Sequence, residues 1–392
     1  MVRIATQRLH LNISQARQIF RYLKRGVVPP KRIRDLTAGF QEEINLIDAA
    51  FKDVKDGIGR YLFIEGKWGG GKSHLLRIAE SMAIRENFAV TTVVFDGDIH
   101  AFNHPQRYLH SMFENLTIPK LNSKGLSASV CHWLSIDKRQ ALLDWARNSA
   151  PSDMQRDIQF LATSKMEGSS YYEFCKKRLD CRDIQFRASA RYILQERLSP
   201  RAQLCRIIGL NGLLVLFDEV ESISILLANP RSRLISYGIL EELAKSGQFK
   251  NCLFLFGVTP DFDKKIQDDD EDWHDYYLET YSEGCSFMKK WMSNSYHKRT
   301  VRMASKDENI SFCMKLRDFH ELAYSWVAKA TISDSFIQDF MGIHYNRNST
   351  QREIVKSFVD ILEICQQHPS CHPSELLPIW TRIVPLLQSY QC

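Results

Sequence analysis

The chain has 392 residues, of which 44% are hydrophobic and 25% are charged, as is ordinary for a soluble globular protein. Its net charge of +6, from 52 basic and 46 acidic side chains, permits contact with nucleic acid without requiring it. The ten cysteines are scattered singly, no apolar run is long enough to span a membrane, and the N-terminus lacks a signal-peptide pattern. These features argue against a disulfide framework and a membrane protein, so we expect a cytoplasmic protein with free thiols.

Two amphipathic helices are predicted at the start of the chain. The first covers Ser14–Lys24, with Ser14 as its expected cap and an apolar stripe that includes Ile19 and Phe20. The second runs from about Gln41 to Lys55 and turns its apolar residues inward.

A strand–loop–helix–strand pattern follows. Tyr61–Glu65 is short and apolar and is followed by glycines, which predicts a buried strand. A helix then begins at Lys72, and the β-branched run Ala89–Phe95 predicts a second strand. Two strands joined by a helix indicate a parallel sheet.

Two more buried strands are predicted in the second half of the sheet region. Residues 101–205 read as mostly helical, and the strands Leu213–Phe217 and Cys252–Val258 follow, with a helix over about Leu234–Lys245 between them. Continuous apolar strands of this kind belong to a sheet that is covered on both faces.

An acidic run at residues 268–272 (Asp-Asp-Asp-Glu-Asp) has no evident apolar partner and predicts a solvated loop at a domain boundary. From about residue 275 the pattern is helical and includes helices over Arg317–Lys329 and Arg352–Cys365. We therefore predict an α/β P-loop NTPase fold of the AAA+ kind with a helical C-terminal domain. The ATPase domain would cover residues 1–267, with a helical insertion near 101–205, and the lid domain residues 275–392.

Residues 66–73 match the phosphate-loop pattern G-x-x-x-x-G-K-[ST] without a mismatch. Glycines let the backbone turn tightly and direct its N–H groups into one concavity, and the following helix adds its positive end. Lys72 is expected to bridge the β- and γ-phosphates of ATP, and the Ser73 hydroxyl to bind Mg²⁺. The predicted nucleotide-binding residues are Gly66, Lys67, Trp68, Gly69, Gly70, Gly71, Lys72, Ser73 and His74.

An acidic pair, Asp218 and Glu219, directly follows the strand Leu213–Phe217. The carboxyl edge of an open α/β sheet is where ligands bind, so this pair is well placed for catalysis. Asp218 is the predicted partner of Mg²⁺, and Glu219 the predicted base that polarises the attacking water. Glu221 is an alternative in either role.

Two further roles in ATP hydrolysis have candidates. Thr259 ends the strand Cys252–Val258 and could orient the water against the γ-phosphate, with Asp261 as the alternative and a simple Thr-Pro turn as the plainer interpretation. A positive side chain must also meet the charge that develops on the phosphoryl group. The candidates, which sequence does not separate, are Arg231, Arg233 and Arg352.

Two weaker patterns remain. Cys365, His368, Cys371 and His372 are too crowded for a structural zinc site, which normally draws on two separated pairs. Basic clusters occur at residues 31–34, 289–290 and 298–302, the last beside aromatic residues. Such mixtures bind nucleic acid in some proteins, but they are more often a solvated helix face or an intersubunit contact.

The order of these motifs resembles the ATP-binding proteins of BREX phage-defence systems, in particular the BrxD-like group. The resemblance rests on residues 16–29, on the phosphate loop, on residues 104–108 and on the strand end at Asp218-Glu219. Residues 349–353 resemble a C-terminal arginine motif without its proline, with Arg352 in the arginine position. The resemblance covers about residues 10–265 and implies a role in a bacterial multi-protein defence system, with other subunits of that system as partners.

The leading hypothesis is therefore an ATP-hydrolysing AAA+ protein that acts as a switch or motor in a larger complex. The alternative is a nucleotide-dependent DNA-binding module, like an initiator or clamp-loader subunit, that holds ATP with little turnover. A small-molecule kinase fits less well, because of the helical C-terminal region and the acidic pair. We expect ATP and Mg²⁺ as ligands and no membrane, while DNA binding and oligomer formation stay open.

Overall fold

The computed structural model describes residues 12–25, 29, 36–95, 102–122, 124–135, 138–164, 170–181 and 190–377. Its five strands are β1 (Arg60–Glu65), β2 (Ala89–Val94), β3 (Leu213–Asp218), β4 (Cys252–Val258) and β5 (Lys298–Thr300). Its helices are α1 (Ile13–Lys24), α2 (Gln41–Lys55), α3 (Lys72–Arg85), α4 (Pro105–Glu114), α5 (Leu126–Leu134), α6 (Arg139–Ser149), α7 (Ser152–Thr163), α8 (Ser170–Leu179), α9 (Ala190–Ile207), α10 (Ser222–Leu226), α11 (Pro230–Leu243), α12 (Asp261–Tyr277), α13 (Ser282–Met292), α14 (Lys306–Tyr324), α15 (Ala328–Thr331), α16 (Asp334–Asn346) and α17 (Gln351–Gln367).

The strands form one parallel sheet in the order β2-β3-β4-β1-β5. The parallel register follows from the connections, because each link between neighbouring strands is long enough to contain a helix. Every residue of β4 is buried, and so are the first five of β3, which explains their continuous apolar sequences. The predicted α/β fold class, with a parallel sheet flanked by helices, is confirmed.

By their internal contacts the described residues divide into two compact units. The sheet unit comprises residues 42–67 and 78–300, and it therefore holds all five strands. The helical unit comprises the described residues up to 41, residues 68–77 and the described residues from 301 on. The predicted division into domains 1–267 and 275–392 stays a prediction.

The core of the sheet unit is one continuous apolar cluster that joins the sheet to the helices α4–α13. Aromatic rings from adjacent strands stack in its centre, with Phe63 and Phe256 at 4.7 Å and Phe217 and Phe256 at 5.1 Å between ring centroids. Residues 101–205 are mostly helical where the structure describes them, as predicted.

The helical unit has its own core, to which helices from both ends of the chain contribute. In α1 the buried residues include Ile19 and Phe20, and the Phe20 ring meets the His320 ring of α14 edge-on at 4.8 Å. The Arg17 guanidinium donates to the Ala323 carbonyl at 2.7 Å, and Lys24 forms an ion pair with Glu363 of α17.

Helix α12 corrects the prediction of a solvated loop at the acidic run, because residues 268–272 lie inside this helix. Its inner stripe carries the buried residues Phe262, Ile266 and Asp269, so one acid of the run faces inward. The Asp269 carboxylate accepts from the Tyr237 hydroxyl at 2.7 Å and pairs with Arg233 at 3.1 Å. Buried partners that lie far along the chain therefore stabilise a helix whose local sequence gave no sign of one.

Three local predictions also need correction. The cap of α1 is Asn12 rather than Ser14, because the Asn12 and Gln15 side chains bond each other's backbone N–H groups in a capping box. The helix predicted over Arg317–Lys329 is interrupted at Ser325, which ends α14 with a left-handed φ of 56°. The basic residues Lys298 and Arg299 lie in strand β5 and not on a helix face.

No helix in the described part of the chain is both long and apolar enough to cross a membrane.

Candidate nucleotide-binding site

The phosphate loop leaves the sheet at the end of β1 and leads into α3. Gly66 is buried, and its N–H donates to the Val258 carbonyl at 3.1 Å, which ties the start of the loop to the end of β4. Helix α3 begins at Lys72, as predicted. The strand, the glycine loop and the helix thus follow one another in the order that a phosphate loop requires.

Gly69 and Gly71 adopt positive φ angles of 74° and 100°, a conformation that side chains disfavour and that lets successive N–H groups converge. Both also have close neighbours within the helical unit. A Cβ atom at Gly69 would lie 3.1 Å from the Thr350 hydroxyl oxygen, and one at Gly71 only 2.6 Å from Cζ of Phe40. Phe40 and Thr350 therefore fix the shape of the loop from outside the motif.

The charged and hydroxyl side chains of the motif differ in exposure. The Lys72 side chain is buried, with 6% of its surface exposed, whereas Lys67 and Ser73 are exposed. Burial holds the Lys72 ammonium in place at the start of α3, next to backbone N–H groups that have no carbonyl partner within the helix. A buried ammonium group at the N-terminal end of a helix suits a polyphosphate, because both carry positive charge toward it.

His74 contacts the segment before α2. Its Nε2 atom lies 3.0 Å from the Thr37 hydroxyl oxygen, and its ring stacks on Phe40 at 5.8 Å between centroids. Burial lowers the pKa of His74 to about 4, so the ring is neutral at pH 7. The side chain therefore brings no positive charge to a phosphate, and what His74 can offer one is its backbone N–H.

The acidic pair stands at the carboxyl end of β3, in the sheet unit. Asp218 is half-buried, and its Oδ1 atom accepts the backbone N–H of Glu219 at 3.1 Å. Glu219 has a left-handed φ of 60°, which a glutamate adopts only at a cost in free energy. The next N–H, from Val220, donates to the Gly257 carbonyl of β4 at 3.1 Å and holds this turn against the neighbouring strand.

The sequence offered two candidates each for the catalytic base and for the residue that orients the water, and the candidates differ in burial. Glu221 is buried at 9% exposure, whereas Glu219 is half-buried. Thr259, directly after β4, is buried at 7% exposure, whereas Asp261 is exposed in the first turn of α12. Thr259 thus has the fixed position that orienting a water molecule requires, and Asp261 does not.

The strand order brings three of these chain positions to one edge of the sheet. β4 lies between β3 and β1, and the register pairs Phe217 with Phe256 and Glu65 with Val258. The acidic pair, Thr259 and the start of the phosphate loop therefore leave the sheet at the same edge, from three adjacent parallel strands. This is the edge at which open α/β sheets bind their ligands.

The three candidate arginines are engaged differently. Arg233 pairs with the buried Asp269, and its guanidinium lies 4.1 Å from the Trp273 ring centroid. Arg231 is exposed and bonds to Tyr277. The backbone N–H of Arg352 approaches the Gly69 carbonyl of the phosphate loop at 3.4 Å.

Two arginines of the basic cluster at residues 298–302 form ion pairs with acidic side chains. Arg299 pairs with Glu42 and Glu43, and Arg302 with Glu308. These pairs leave little free positive charge here to attract a phosphate backbone. The cluster at residues 31–34 lies outside the described residues.

The described residues contain no group of three or more His, Cys, Asp or Glu side chains arranged to hold a metal ion. A magnesium site of the phosphate-loop kind needs no such group, since phosphate oxygens complete it. The exposed Ser73 side chain and the half-buried Asp218 side chain each carry a hard oxygen atom of the kind that Mg²⁺ prefers, and their assignment as magnesium ligands stays a prediction.

Comparison with protein families gives a match over most of the chain. The family described as "BREX system ATP-binding protein BrxC/D" matches residues 12–168 and 194–379. The chain belongs to the BrxC/D family. This confirms the resemblance found in the sequence, and ATP is the ligand that the BrxC/D description names.

A solved structure is also similar to this BrxC/D protein. The ORC2 protein of Aeropyrum pernix, solved in ADPNP and ADP complexes, is 14% identical with a TM-score of 0.33. The match covers 81% of this chain and 66% of that one, so the chain spans less than two thirds of the length of ORC2. No curated protein matches the sequence.

Proposed function

We propose that this protein binds ATP with Mg²⁺ and hydrolyses it to drive a change of conformation or assembly within a BREX defence complex. The observation that carries this proposal is the shared sheet edge, from which the phosphate loop, the acidic pair and Thr259 all depart. Family membership supports the ATP ligand and the BREX setting.

The proposed chemistry is attack of water on the γ-phosphorus. The bond between that phosphorus and the bridging oxygen breaks, and ADP and inorganic phosphate leave. Glu219 takes the proton of the attacking water, while Thr259 orients the water. Lys72 neutralises charge on the β- and γ-phosphates.

Mg²⁺, when bound, would neutralise further charge on the phosphate oxygens, with Ser73 and Asp218 as its protein ligands. Arg352 is the proposed arginine for the γ-phosphate, because its backbone approaches the phosphate loop. Arg233 suits that role less well, because Asp269 already holds its guanidinium.

The binding step is tested with two lysines of the same loop. Lys72→Ala should weaken ATP binding by about 100-fold, or roughly 3 kcal/mol, because a buried ammonium to the phosphates is lost. Lys67→Ala is the matched control: the side chain of Lys67 is exposed, so Lys67 is expected to contribute its backbone N–H alone, and the variant should leave the dissociation constant within about twofold. Calorimetric titration measures both, and tight binding by Lys72→Ala would refute the assignment of the phosphate loop.

The hydrolysis step is tested with two neighbouring acids. Glu219→Gln should retain ATP binding and lose about 100-fold or more in turnover, since the amide cannot accept the proton. Glu221→Gln should keep most of the turnover, as measured by phosphate release. If the two results are exchanged, Glu221 is the base, and if neither variant loses turnover, neither glutamate is the base.

A further inference from the structure

Trp68 is the one large side chain of the phosphate loop, and 64% of its surface is exposed. A guanidinium group covers one face of its ring: the Arg352 Cζ atom lies 5.7 Å from the ring centroid. This distance is within the range of a cation–π contact, which arginine forms with tryptophan more favourably than with the other aromatic residues.

Backbone contacts anchor residue 352 at the phosphate loop independently of the conformation of its side chain. Thr350, the capping residue of α17, lies against Gly69, and the Arg352 N–H points at the Gly69 carbonyl. The capping box between Thr350 and Glu353 fixes this end of the helix. The long side chain of Arg352 therefore moves about a fixed point beside the loop.

A phosphate group can replace Trp68 as the partner of Arg352, because the guanidinium is positively charged. Within the described part of the chain, no carboxylate forms an ion pair with Arg352, in contrast to Arg233 and its partner Asp269. A guanidinium group binds phosphate oxygens more strongly than an exposed aromatic ring. A nucleotide with a γ-phosphate in the loop would therefore compete with Trp68 for Arg352.

We propose that Trp68 is a positioning residue that holds Arg352 away from the phosphates until a γ-phosphate is present. The proposal rests on the function proposed above. With ADP or without nucleotide, the guanidinium stays on the ring, and with ATP it transfers to the γ-phosphate. Because Arg352 lies in the first turn of α17, its transfer makes the position of this helix depend on whether a γ-phosphate is bound.

The proposal makes an unusual prediction for ATP affinity. Only a nucleotide with a γ-phosphate draws Arg352 off the Trp68 ring, so only its binding free energy is reduced by the loss of that contact. Removing the ring should therefore strengthen binding of ATP and not of ADP. An exposed cation–π contact corresponds to a factor of about two to five in an equilibrium constant, which sets the expected size.

The test measures dissociation constants for ADP and for a non-hydrolysable ATP analogue by calorimetry. Trp68→Leu should raise the affinity for the analogue by about two- to fivefold. It should leave the affinity for ADP within about twofold, because residue 68 contributes its backbone N–H to the phosphate loop and the variant keeps that group. Trp68→Phe, which keeps an aromatic face, should show a smaller rise. In the background of Arg352→Gln, the change Trp68→Leu should alter neither affinity.

Three results would overturn the proposal. Trp68→Leu could weaken both nucleotides alike, which would mean that the ring touches the part they share. It could act equally in the Arg352→Gln background, which would mean that it does not work through Arg352. It could leave the ratio of the two affinities unchanged. If the wild-type protein binds neither nucleotide, the proposed function fails as well, so the two failures are distinguishable.

Discussion

At the scale of single residues, the backbone of Glu219 stores strain where catalysis is proposed. Its φ of 60° is disfavoured for any side chain with a Cβ atom, and the turn is held by hydrogen bonds from Glu219 to Asp218 and from Val220 to Gly257. Strain of this kind survives where surrounding structure imposes it. Here it sets the direction in which the carboxylate leaves the end of β3.

The strain can be measured with two variants that both remove the carboxylate. Glu219→Gly should be more stable than Glu219→Ala by about 1 kcal/mol, because glycine adopts positive φ freely. At an ordinary position the order is reversed, since glycine costs more backbone entropy. Urea unfolding gives both free energies, and an alanine variant that equals or exceeds the glycine variant would contradict the strained turn.

At the scale of elements, the N-terminus of α17 has two functions, to cap the helix and to support the phosphate loop. Thr350→Ala should lower the free energy of unfolding by about 1 kcal/mol, through loss of the cap, and should also weaken ATP binding. Ser333→Ala is the matched control, because the Ser333 side chain caps helix α16 by accepting the backbone N–H of Phe336. The free energy of unfolding of Ser333→Ala should fall by a similar amount.

The control should keep its ATP affinity, since the structure gives Ser333 no contact with the loop. Denaturation and calorimetric titration of the two variants separate the roles. Equal effects of the two variants on ATP affinity would mean that Thr350 acts through helix stability alone.

The elements that could be predicted from the sequence are those that are determined by residues adjacent in the chain. The strands β1–β4 were predictable because each is a continuous apolar run, and the phosphate loop because every residue its chemistry needs is adjacent in the chain. Strand β5 (Lys-Arg-Thr) was not, because three polar residues carry no strand pattern and only pairing with β1 makes them one. Helix α12 was missed because the buried partners of Asp269 lie on another helix, α11.

The same distinction applies inside the site. The roles of Lys72 and Asp218 were suggested by neighbouring residues and stay predictions of the motif. The support of the loop by Phe40 and Thr350 was not foreseen, because neither residue belongs to the pattern and both come from distant parts of the chain. The left-handed turn at Glu219 had no sequence signal either, since glutamate does not favour it.

At the scale of the whole molecule, buried histidines make stability depend on pH. His320 and His344 both lie in the helical unit, and burial lowers the pKa of each to about 4. An unfolded histidine titrates near 6.5, so the unfolded chain binds more protons than the folded one between these values. The free energy of unfolding therefore falls as the pH drops from about 6.5 to about 4, and the contribution of the buried histidines to stability is complete only above this range.

The expected loss between pH 7 and about pH 5 is about 2 kcal/mol for each buried histidine. Urea unfolding at the two pH values measures it. In His320→Phe, which keeps an aromatic ring, the loss should be smaller by about that amount, even though Trp326 loses the ring nitrogen it donates to. An unchanged pH dependence in this variant would show that His320 is not the titrating group.

The ion pair between Lys24 and Glu363 joins positions 339 residues apart in the chain. During translation, α1 must therefore remain without its partners until α14 and α17 have been synthesised. Thr350, which supports Gly69 of the phosphate loop, is also made late. A nascent or truncated chain that ends before α17 thus lacks both the completed helical core and the support of the loop, so competence to hold ATP would arise only after α17 has been synthesised.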